Sequence, residues 1–210
     1  MKLHTEILSD IQLNLLPKVS KVSSSNGFYL AGGTMAALWL GHRRSVDFDW
    51  FSKSKIDDAD VLERNLMEND LPLVNSSTRK GTLYATIEKV QNSWIEYPYP
   101  LLQPTINFEE WNLQCCSLQD IATMKLTAIS SRGAKKDFVD IYAIVKHGIG
   151  IYEMLQLFRK RFGHKDVGHI LYALTYFDDA EPQDMPEMLW DKSWEEIKRT
   201  IQSWVKSIQL

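Results

Sequence analysis

Two aspartates separated by one residue, Asp47 and Asp49, lie in a stretch that alternates between apolar and polar side chains, VDFDWF. This alternation predicts a β-strand over residues 46–51, with the apolar side chains on one face and both carboxylates on the other. Two carboxylates on one strand face offer oxygen ligands for a hard divalent cation such as Mg²⁺. An Asp-x-Asp pair is more often a solvated face, so the pair alone is a weak signal.

A pair of glycines, Gly32 and Gly33, precedes the aspartates and follows the short apolar run FYLA. The run predicts a buried strand over residues 28–31, and the glycines predict the turn that ends it. Thr34 can cap the helix that follows, and Gly41 can end it. Glycines at the start of a helix allow close backbone approach and offer amide donors, which suits the binding of a phosphate chain.

Phosphoryl or nucleotidyl transfer needs both features, a metal at the reacting phosphorus and a binding site for the rest of the triphosphate. Most glycine pairs form ordinary turns, so the glycine pair alone is also a weak signal for phosphate binding. The order strand, glycine turn, short helix and aspartate strand within residues 28–51 is more specific than either part. It indicates a nucleotide-processing site.

A lysine falls on the apolar face of a helix predicted in the second half of the chain. Ser117 and Gly133 predict the two ends of this helix, and Lys125 lies within its apolar stripe. Spacing alone favours a buried stem whose ammonium group reaches water. Asp137 can cap the next helix, and Asp140, one turn later, interacts favourably with the helix dipole.

These stretches resemble a known family. The string AGGTMAALWLGHRRSVDFDWFS resembles the first motif of the AbiEii/AbiGii toxins, which are nucleotidyltransferases of type IV toxin–antitoxin systems within the polymerase-β-like superfamily. Three later stretches strengthen the resemblance: GTLYATIEKV with IEYPYPLL, DIATMKLTAISSRGAKKDFVDIY, and ALTYFDDAEPQDMP. The resemblance spans residues 28–186 of the chain.

The resemblance implies an enzyme that transfers a nucleotide from an NTP, with Mg²⁺, to an acceptor. The expected acceptor is the 3′ end of tRNA or another RNA, and the expected partner is a cognate antitoxin encoded nearby. The implied catalytic residues are Asp47, Asp49, Lys125 and Asp137, with Asp47 and Asp49 as metal ligands. The implied nucleotide-binding residues are Gly32, Gly33, Thr34, Ser45 and Lys125. The alternative is a catalytically silent nucleotide-binding or RNA-binding module that acts through a partner.

Related enzymes often place a third carboxylate on a later strand, where it can act as a base. Glu88 and Glu96 are the candidates here, and the strand register that would choose between them is open. If neither reaches the site, a dedicated base is in doubt and Asp137 becomes more important. Arg43 and Arg44 can reach a phosphate or pair with a carboxylate, so we leave them out of the catalytic set.

One basic cluster offers the best local candidate for a nucleic-acid contact. It consists of Arg159, Lys160, Arg161, His164 and Lys165. Such a run is usually a solvated face. The formal net charge of −3 and the pI of about 6.0 argue against a protein that coats nucleic acid through bulk charge.

The composition is that of an ordinary globular protein, with 44% hydrophobic and 24% charged residues. No apolar run approaches the ~20 residues that span a bilayer. The first residues do not form an apolar signal core, so we expect a cytoplasmic protein without a membrane partner. The neighbouring cysteines, Cys115 and Cys116, are expected to be idle thiols in a reducing compartment.

The predicted fold class is α/β (α+β). A nucleotidyltransferase fold with a small mixed sheet flanked by helices is followed by an all-helical C-terminal half. The expected division is a core at residues 1–114 and a helical region at residues 115–210, which can also pack as one continuous domain. Further predicted elements are helices over residues 3–22 and 57–68, strands over residues 71–76, 82–88 and 94–97, and a hinge over residues 104–114.

Overall fold

The computed structural model describes residues 2–54, 59–163 and 166–208. Three residues that carried predictions lie outside these ranges. They are Asp57, the predicted cap of the second long helix, and His164 and Lys165 of the basic cluster.

The described residues form eight α-helices: α1 (Asp10–Ser25), α2 (Gly32–Leu40), α3 (Ala59–Glu68), α4 (Leu118–Arg132), α5 (Lys135–Lys146), α6 (Ile151–Phe162), α7 (Gly168–Ala173) and α8 (Trp194–Lys206). They also form seven strands: β1 (Tyr29–Leu30), β2 (Phe48–Ser52), β3 (Val74–Arg79), β4 (Thr82–Ile87), β5 (Val90–Glu96), β6 (Ile106–Phe108) and β7 (Leu113–Cys115). None of the described helices is long and apolar enough to cross a membrane.

All seven strands join one mixed sheet in the order β3-β4-β5-β2-β1-β7-β6. The central strand β2 runs antiparallel to β1 and parallel to β5, and β1 runs parallel to β7. At one edge lies β3, whose six residues are all exposed and whose pairing with β4 is interrupted by a bulge. The prediction of a mixed sheet flanked by helices is therefore confirmed.

The centre of the sheet is held by aromatic side chains on the face opposite the aspartates. Trp50 on β2 and Trp94 on β5 lie side by side in the strand register, and both are fully buried. The indole of Trp50 donates to Asn92 Oδ1 at 3.0 Å, and that of Trp94 donates to Ser23 Oγ at 2.9 Å. Because both N–H groups are satisfied, the large rings are buried without a lost hydrogen bond.

The first helix lies later in the chain than predicted and is shorter, with 16 residues. Its N-cap is Ser9, whose hydroxyl forms a capping box with the side chain of Gln12, and the helix ends at Ser25. Pro17 lies inside α1. A proline removes one backbone donor, and the helix continues because its apolar face packs into the core.

Strand boundaries differ from the predicted ones where short apolar runs carry little periodic signal. Strand β2 begins at Phe48, so Val46 and Asp47 precede it, and Val46 is 71% exposed. The prediction that both aspartates lie on one strand face is therefore wrong for Asp47, which belongs to the segment that leads into β2. Strand β3 begins at Val74 rather than at residue 71, and β5 begins at Val90 rather than at residue 94. On α3, Val61 was expected to face inward but is 42% exposed.

The predicted hinge over residues 104–114 is wrong, because this segment contains β6 and most of β7, which pair with each other. Cys115 on β7 pairs with Leu30 on β1, and the next thiol, Cys116, is equally inaccessible to solvent. Burial raises the pKa of Cys115 to about 12, so that thiol stays protonated. The predicted division of the chain after residue 114 stays a prediction.

Arg161 does not belong to a nucleic-acid surface. Its side chain has no exposed area. Its Nη1 donates to Thr123 Oγ1 at 2.7 Å and to the Asp120 carbonyl oxygen at 3.0 Å, and it lies 3.3 Å from Asp120 Oδ1. The guanidinium carbon lies 5.3 Å from the centre of the Tyr97 ring. The predicted role of this residue in a basic cluster is therefore wrong, because the arginine joins α6 to α4 inside the protein.

We expect Arg161→Ala to lower the free energy of unfolding by about 3–5 kcal/mol, because it leaves Asp120 charged and unpaired in the interior. The neighbouring Lys160 is exposed, and Lys160→Ala should change that energy by less than about 0.5 kcal/mol. Urea denaturation of the two variants and the wild type tests this. Equal effects of the two substitutions would contradict the structural role.

Candidate active site

The start of α2 lies directly against the aspartate strand. The backbone amide of Ala31 donates to the carbonyl oxygen of Asp49 at 3.0 Å, which extends the pairing of β1 with β2 by one residue. Ala31 is the N-cap residue of α2, and Gly32 and Gly33 form its first turn. The predicted glycine turn and the predicted aspartate strand are thus neighbours in space.

Gly32 has no side chain because the Asp49 carboxylate occupies the position that a side chain would take. A Cβ atom built on Gly32 would lie 2.5 Å from Asp49 Oδ2, which is closer than atoms can approach. Gly32 also has a φ of +65°, a left-handed conformation that glycine adopts without strain. The close approach places the amide-rich start of α2 beside the carboxylate.

Thr34 is not the cap of α2, because the helix begins at Gly32, two positions before it. The Thr34 hydroxyl instead contacts the carbonyl oxygen of Asp47 and the hydroxyl of Ser45, the latter at 2.7 Å. The side chain of Gln12 donates to the Ser45 carbonyl oxygen at 2.8 Å. These bonds hold the segment before β2 in place, so Thr34 and Ser45 shape the site by fixing Asp47.

The two aspartates repel each other in a partly desolvated environment. Burial raises the pKa of Asp49, and the nearby charge of Asp47 raises it further. A hydrogen bond from the Ser93 hydroxyl and the positive charges of Lys125 and Lys136 act in the opposite direction. A cation between the carboxylates would remove the repulsion.

The donor set of Asp47 and Asp49 fits Mg²⁺. Mg²⁺ is commonly bound by one or two carboxylates together with water and substrate phosphates. In the described ranges, no group of three or more His, Cys, Asp or Glu side chains is arranged to hold a metal ion. The remaining ligands would therefore come from phosphate oxygens and water.

Lys125 does not reach water as spacing alone had suggested. It is 4% exposed, and its ammonium nitrogen lies 2.9 Å from Asp137 Oδ1 and 2.5 Å from Asp140 Oδ2. Its charge also acts on Asp49. The structure therefore brings Lys125 and Asp137 into contact, and places both beside the aspartate strand.

Asp137 is a buried partner of two cations rather than a helix cap. The N-cap residue of α5 is Ala134, and no side chain caps that end. Arg132 donates to both Asp137 oxygens, from Nε at 2.8 Å and from Nη2 at 2.9 Å. Burial raises the pKa of Asp137, but Lys125 and Arg132 outweigh it and hold this pKa below its usual value. Such a carboxylate is a weak proton acceptor.

Asp140 is the functional residue that sequence reasoning missed. It is fully buried and accepts hydrogen bonds from His42 Nε2 at 2.7 Å and from Arg43 Nε at 2.7 Å and Nη2 at 3.0 Å. With Lys125, these partners hold the pKa of Asp140 well below its usual value, although burial acts to raise it. The sequence did contain a signal that Asp140 is buried, because this aspartate lies on the same helix face as the apolar Ile141 and Ile144.

Arg43 and Arg44, which precede β2, each pair with a carboxylate. Neither of these carboxylates is Asp47 or Asp49. Arg43 is buried against Asp140, and its guanidinium also fills the space beside Gly33. A Cβ atom on Gly33 would lie 2.7 Å from Arg43 Nη2. Arg44 lies at the surface and pairs with Glu187 at 2.7 Å.

Neither candidate for a third carboxylate faces Asp49. The strand register places Ser93 of β5 next to Asp49. Glu96 lies next to Ser52, and both of these residues point to the face of the sheet opposite Asp49. Glu88 lies in the turn between β4 and β5 and pairs with Lys18 at 3.4 Å. The position of a third acid is therefore taken by a serine hydroxyl.

Comparison with known proteins identifies the family. The model of the nucleotidyl transferase AbiEii toxin of type IV toxin–antitoxin systems matches residues 84–206. The chain belongs to this family. The matched region contains Lys125, Asp137 and Asp140, and the predicted assignment as an AbiEii-type nucleotidyltransferase is confirmed.

Relatives extend the comparison to the rest of the chain. An uncharacterized protein of Aquifex aeolicus (strain VF5) is 34% identical over 201 residues, which cover 93% of this chain and 97% of that protein. MenT4, a nucleotidyltransferase toxin from Mycobacterium tuberculosis H37Rv, superposes with a TM-score of 0.56 at 12% identity, over 95% of this chain and 84% of MenT4. A protein described as a nucleotidyltransferase from H. pylori superposes with a TM-score of 0.55 at 15% identity, over 95% of both chains. These structures confirm the nucleotidyltransferase fold of the AbiEii chain.

The charge of Asp140 makes the stability of this family member depend on pH. Because its folded pKa lies below the ordinary value of 3.8, Asp140 stabilises the fold above that value, and this contribution is lost as the pH falls through the folded pKa. We expect Asp140→Asn to cost about 3 kcal/mol at neutral pH and to reduce the stability lost on acidification. Urea denaturation at neutral and acidic pH measures both. The same profile from Asp184→Asn, at an exposed site, would contradict this account.

The contact between Gly32 and Asp49 predicts a specific defect. Gly32→Ala should displace the Asp49 carboxylate and abolish the rise in Tm that Mg²⁺ is expected to produce in the wild type. Gly163 is a matched control, since its φ is +69° but a Cβ atom there meets nothing within 4 Å. Gly163→Ala should cost only the backbone strain of about 1 kcal/mol and keep the Mg²⁺ response. If both variants respond to Mg²⁺ alike, the contact does not position Asp49.

Proposed function

We propose that this AbiEii protein transfers a nucleotide from an NTP, with Mg²⁺, to an RNA acceptor, with the 3′ end of tRNA as the expected target. The observation that carries the proposal is the contact between Gly32 and the Asp49 carboxylate. It places a carboxylate pair suited to a metal within reach of a helix start suited to phosphates. This combination is what nucleotidyl transfer needs.

In this proposal Asp47 and Asp49 hold Mg²⁺, and the backbone at Gly32 and Gly33 binds the phosphates of the NTP. When bound, Mg²⁺ supplies positive charge at the reacting phosphoryl group. Thr34 and Ser45 act indirectly, because their hydroxyl groups bond to each other and Thr34 contacts the Asp47 backbone. Their role is to keep Asp47 at the distance from Asp49 that a shared cation requires.

Lys125 stabilises the negative charge that develops on the phosphates during transfer. Its ammonium group has three N–H donors, and Asp137 and Asp140 lie close enough to accept two of them. The two carboxylates orient the lysine toward the site, where its charge acts on Asp49. Asp137 and Asp140 are therefore positioning residues for Lys125.

The site supplies charge stabilisation rather than a dedicated base. Ser93 occupies the place next to Asp49 where a third carboxylate would act. Asp137 is held ionised by Lys125 and Arg132, which lower its pKa and with it its basicity. The proton of the acceptor hydroxyl then leaves to water or to a phosphate oxygen as the new phosphorus–oxygen bond forms and pyrophosphate departs.

Membership of a type IV toxin family supports a toxin that arrests growth by modifying RNA, with an antitoxin encoded nearby. In such a system the antitoxin acts without a stable complex with the toxin. The structural neighbour MenT4 is itself described as a nucleotidyltransferase toxin.

A second candidate function is nucleotide binding without transfer. The specific observation that favours it is the serine beside Asp49, which leaves the site without a third acid. In that case the protein would bind an NTP and act through a partner.

We expect wild-type protein with Mg²⁺ to transfer label from at least one of the four NTPs, each tested separately, to total tRNA. Asp47→Ala, Asp49→Ala and Lys125→Met should each lower the rate by about 100-fold or more, because each removes charge stabilisation from the transition state. Asp184→Ala, at an exposed site, should transfer at the wild-type rate.

The outcomes separate the two candidate functions. Label with the wild type and Asp184→Ala, and a rate about 100-fold or more lower in the three site variants, supports transfer and names the nucleotide and the acceptor. Nucleotide binding that depends on Asp47 and Asp49, without label in tRNA or total protein, supports the binding module and contradicts transfer.

A further inference from the structure

A cleft of about 540 Å³ opens beside the site, between the end of α4 and helix α7. The residues that line the cleft include Arg132, Gly133, Tyr172, Tyr176 and Asp179. Arg132 links the cleft to the active site, because its guanidinium group holds the carboxylate of Asp137 through two hydrogen bonds. Its side chain is nevertheless 56% exposed, so part of it faces the cleft.

Two tyrosine rings form a flat aromatic surface in this cleft. Tyr172 is 68% exposed and Tyr176 is 38% exposed. Their rings are stacked, with centres 5.7 Å apart and an angle of 18° between the planes. Stacked aromatic rings that face water offer a platform for another planar ring, and every nucleobase has such a face.

A carboxylate lies next to this platform. Asp179 is exposed and lines the cleft, and its Oδ2 lies 3.9 Å from the position that a Cβ atom on Gly133 would take. Within the described residues, the only hydrogen bond of Asp179 uses its backbone carbonyl oxygen, which accepts from Gln183. The carboxylate is therefore available to accept from amino or ring N–H groups of a base.

We propose that this cleft binds one unpaired nucleobase, which stacks on Tyr172 and Tyr176 and donates a hydrogen bond to Asp179. The assignment of a nucleobase as the ligand of this cleft rests on the proposed nucleotidyl transfer. The charges bear on the orientation, since Asp178 and Asp179 act on Tyr176 and repel phosphates there, whereas Arg132 attracts them. The base has two possible sources: the incoming NTP and the unpaired 3′ end of an RNA acceptor.

Quenching of 2-aminopurine fluorescence, which accompanies stacking, tests the proposal and separates the sources. One probe is 2-aminopurine riboside triphosphate, and the other is a short single-stranded RNA with 2-aminopurine at its 3′ end. We expect quenching of at least one probe by the wild type, and that probe names the source. The double variant Tyr172→Leu, Tyr176→Leu should raise the Kd of that probe by about tenfold or more, as expected for the loss of base stacking.

Tyr152→Leu is the matched control, because Tyr152 is a 56% exposed tyrosine on α6 outside the cleft. It should bind the probe as the wild type does. Absence of quenching with either probe, wild-type affinity in the double variant, or an equal loss in Tyr152→Leu would each overturn the proposal.

Transfer assays on the same variants keep this inference separate from the proposed function. If no NTP yields label but quenching depends on the tyrosines, the cleft is a base-binding site and the transfer proposal fails. If the double variant transfers label with the wild-type kcat/KM and quenches as the wild type does, transfer stands and the cleft inference fails.

Discussion

The buried carboxylate of Asp140 is the constraint on which the arrangement of the site depends. A fully buried charge is costly unless cations and hydrogen bonds surround it, and here they come from two other parts of the chain. His42 and Arg43 follow α2, and Lys125 belongs to α4. Because all three groups converge on one side chain of α5, this carboxylate ties the end of α2 and helix α4 to α5. The glycine at position 33 follows from the same requirement, since a larger residue would displace the guanidinium of Arg43.

Two groups of carboxylates therefore adjoin each other in opposite electrostatic states. Asp137 and Asp140 are matched by cations of the protein, and their pKa values are lowered. Asp49 is buried near the charge of Asp47, and its pKa is raised. The protein supplies permanent cations to one group and leaves the other with excess negative charge. In the proposed function, that excess is the charge that attracts a cation from solution together with the phosphates of a substrate.

The sequence predicted the local features that depend on short-range patterns. The ends of α4 at Ser117 and Gly133 and the strand that carries Asp49 were predictable because capping and alternation are local. The mixed sheet was expected from the resemblance to the nucleotidyltransferase family. The hydrogen-bond partners of Asp140 were not, since they lie about a hundred residues away in sequence. Whether Glu88 or Glu96 supplies a third carboxylate depended on the register of β2 and β5, which a single sequence leaves open. Strands β6 and β7 have only three residues each, too few for a periodic signal.

The exposed outer strand β3 bears on how the protein behaves at high concentration. Its residues are mostly small and polar, it ends in Arg79, and a bulge between Val74 and Ser77 breaks its regular spacing. An irregular edge with a charged end is a poor template for a strand from a second copy, so β3 disfavours edge-to-edge pairing. This protection lies on a strand separate from β1 and β2, beside which the site is built.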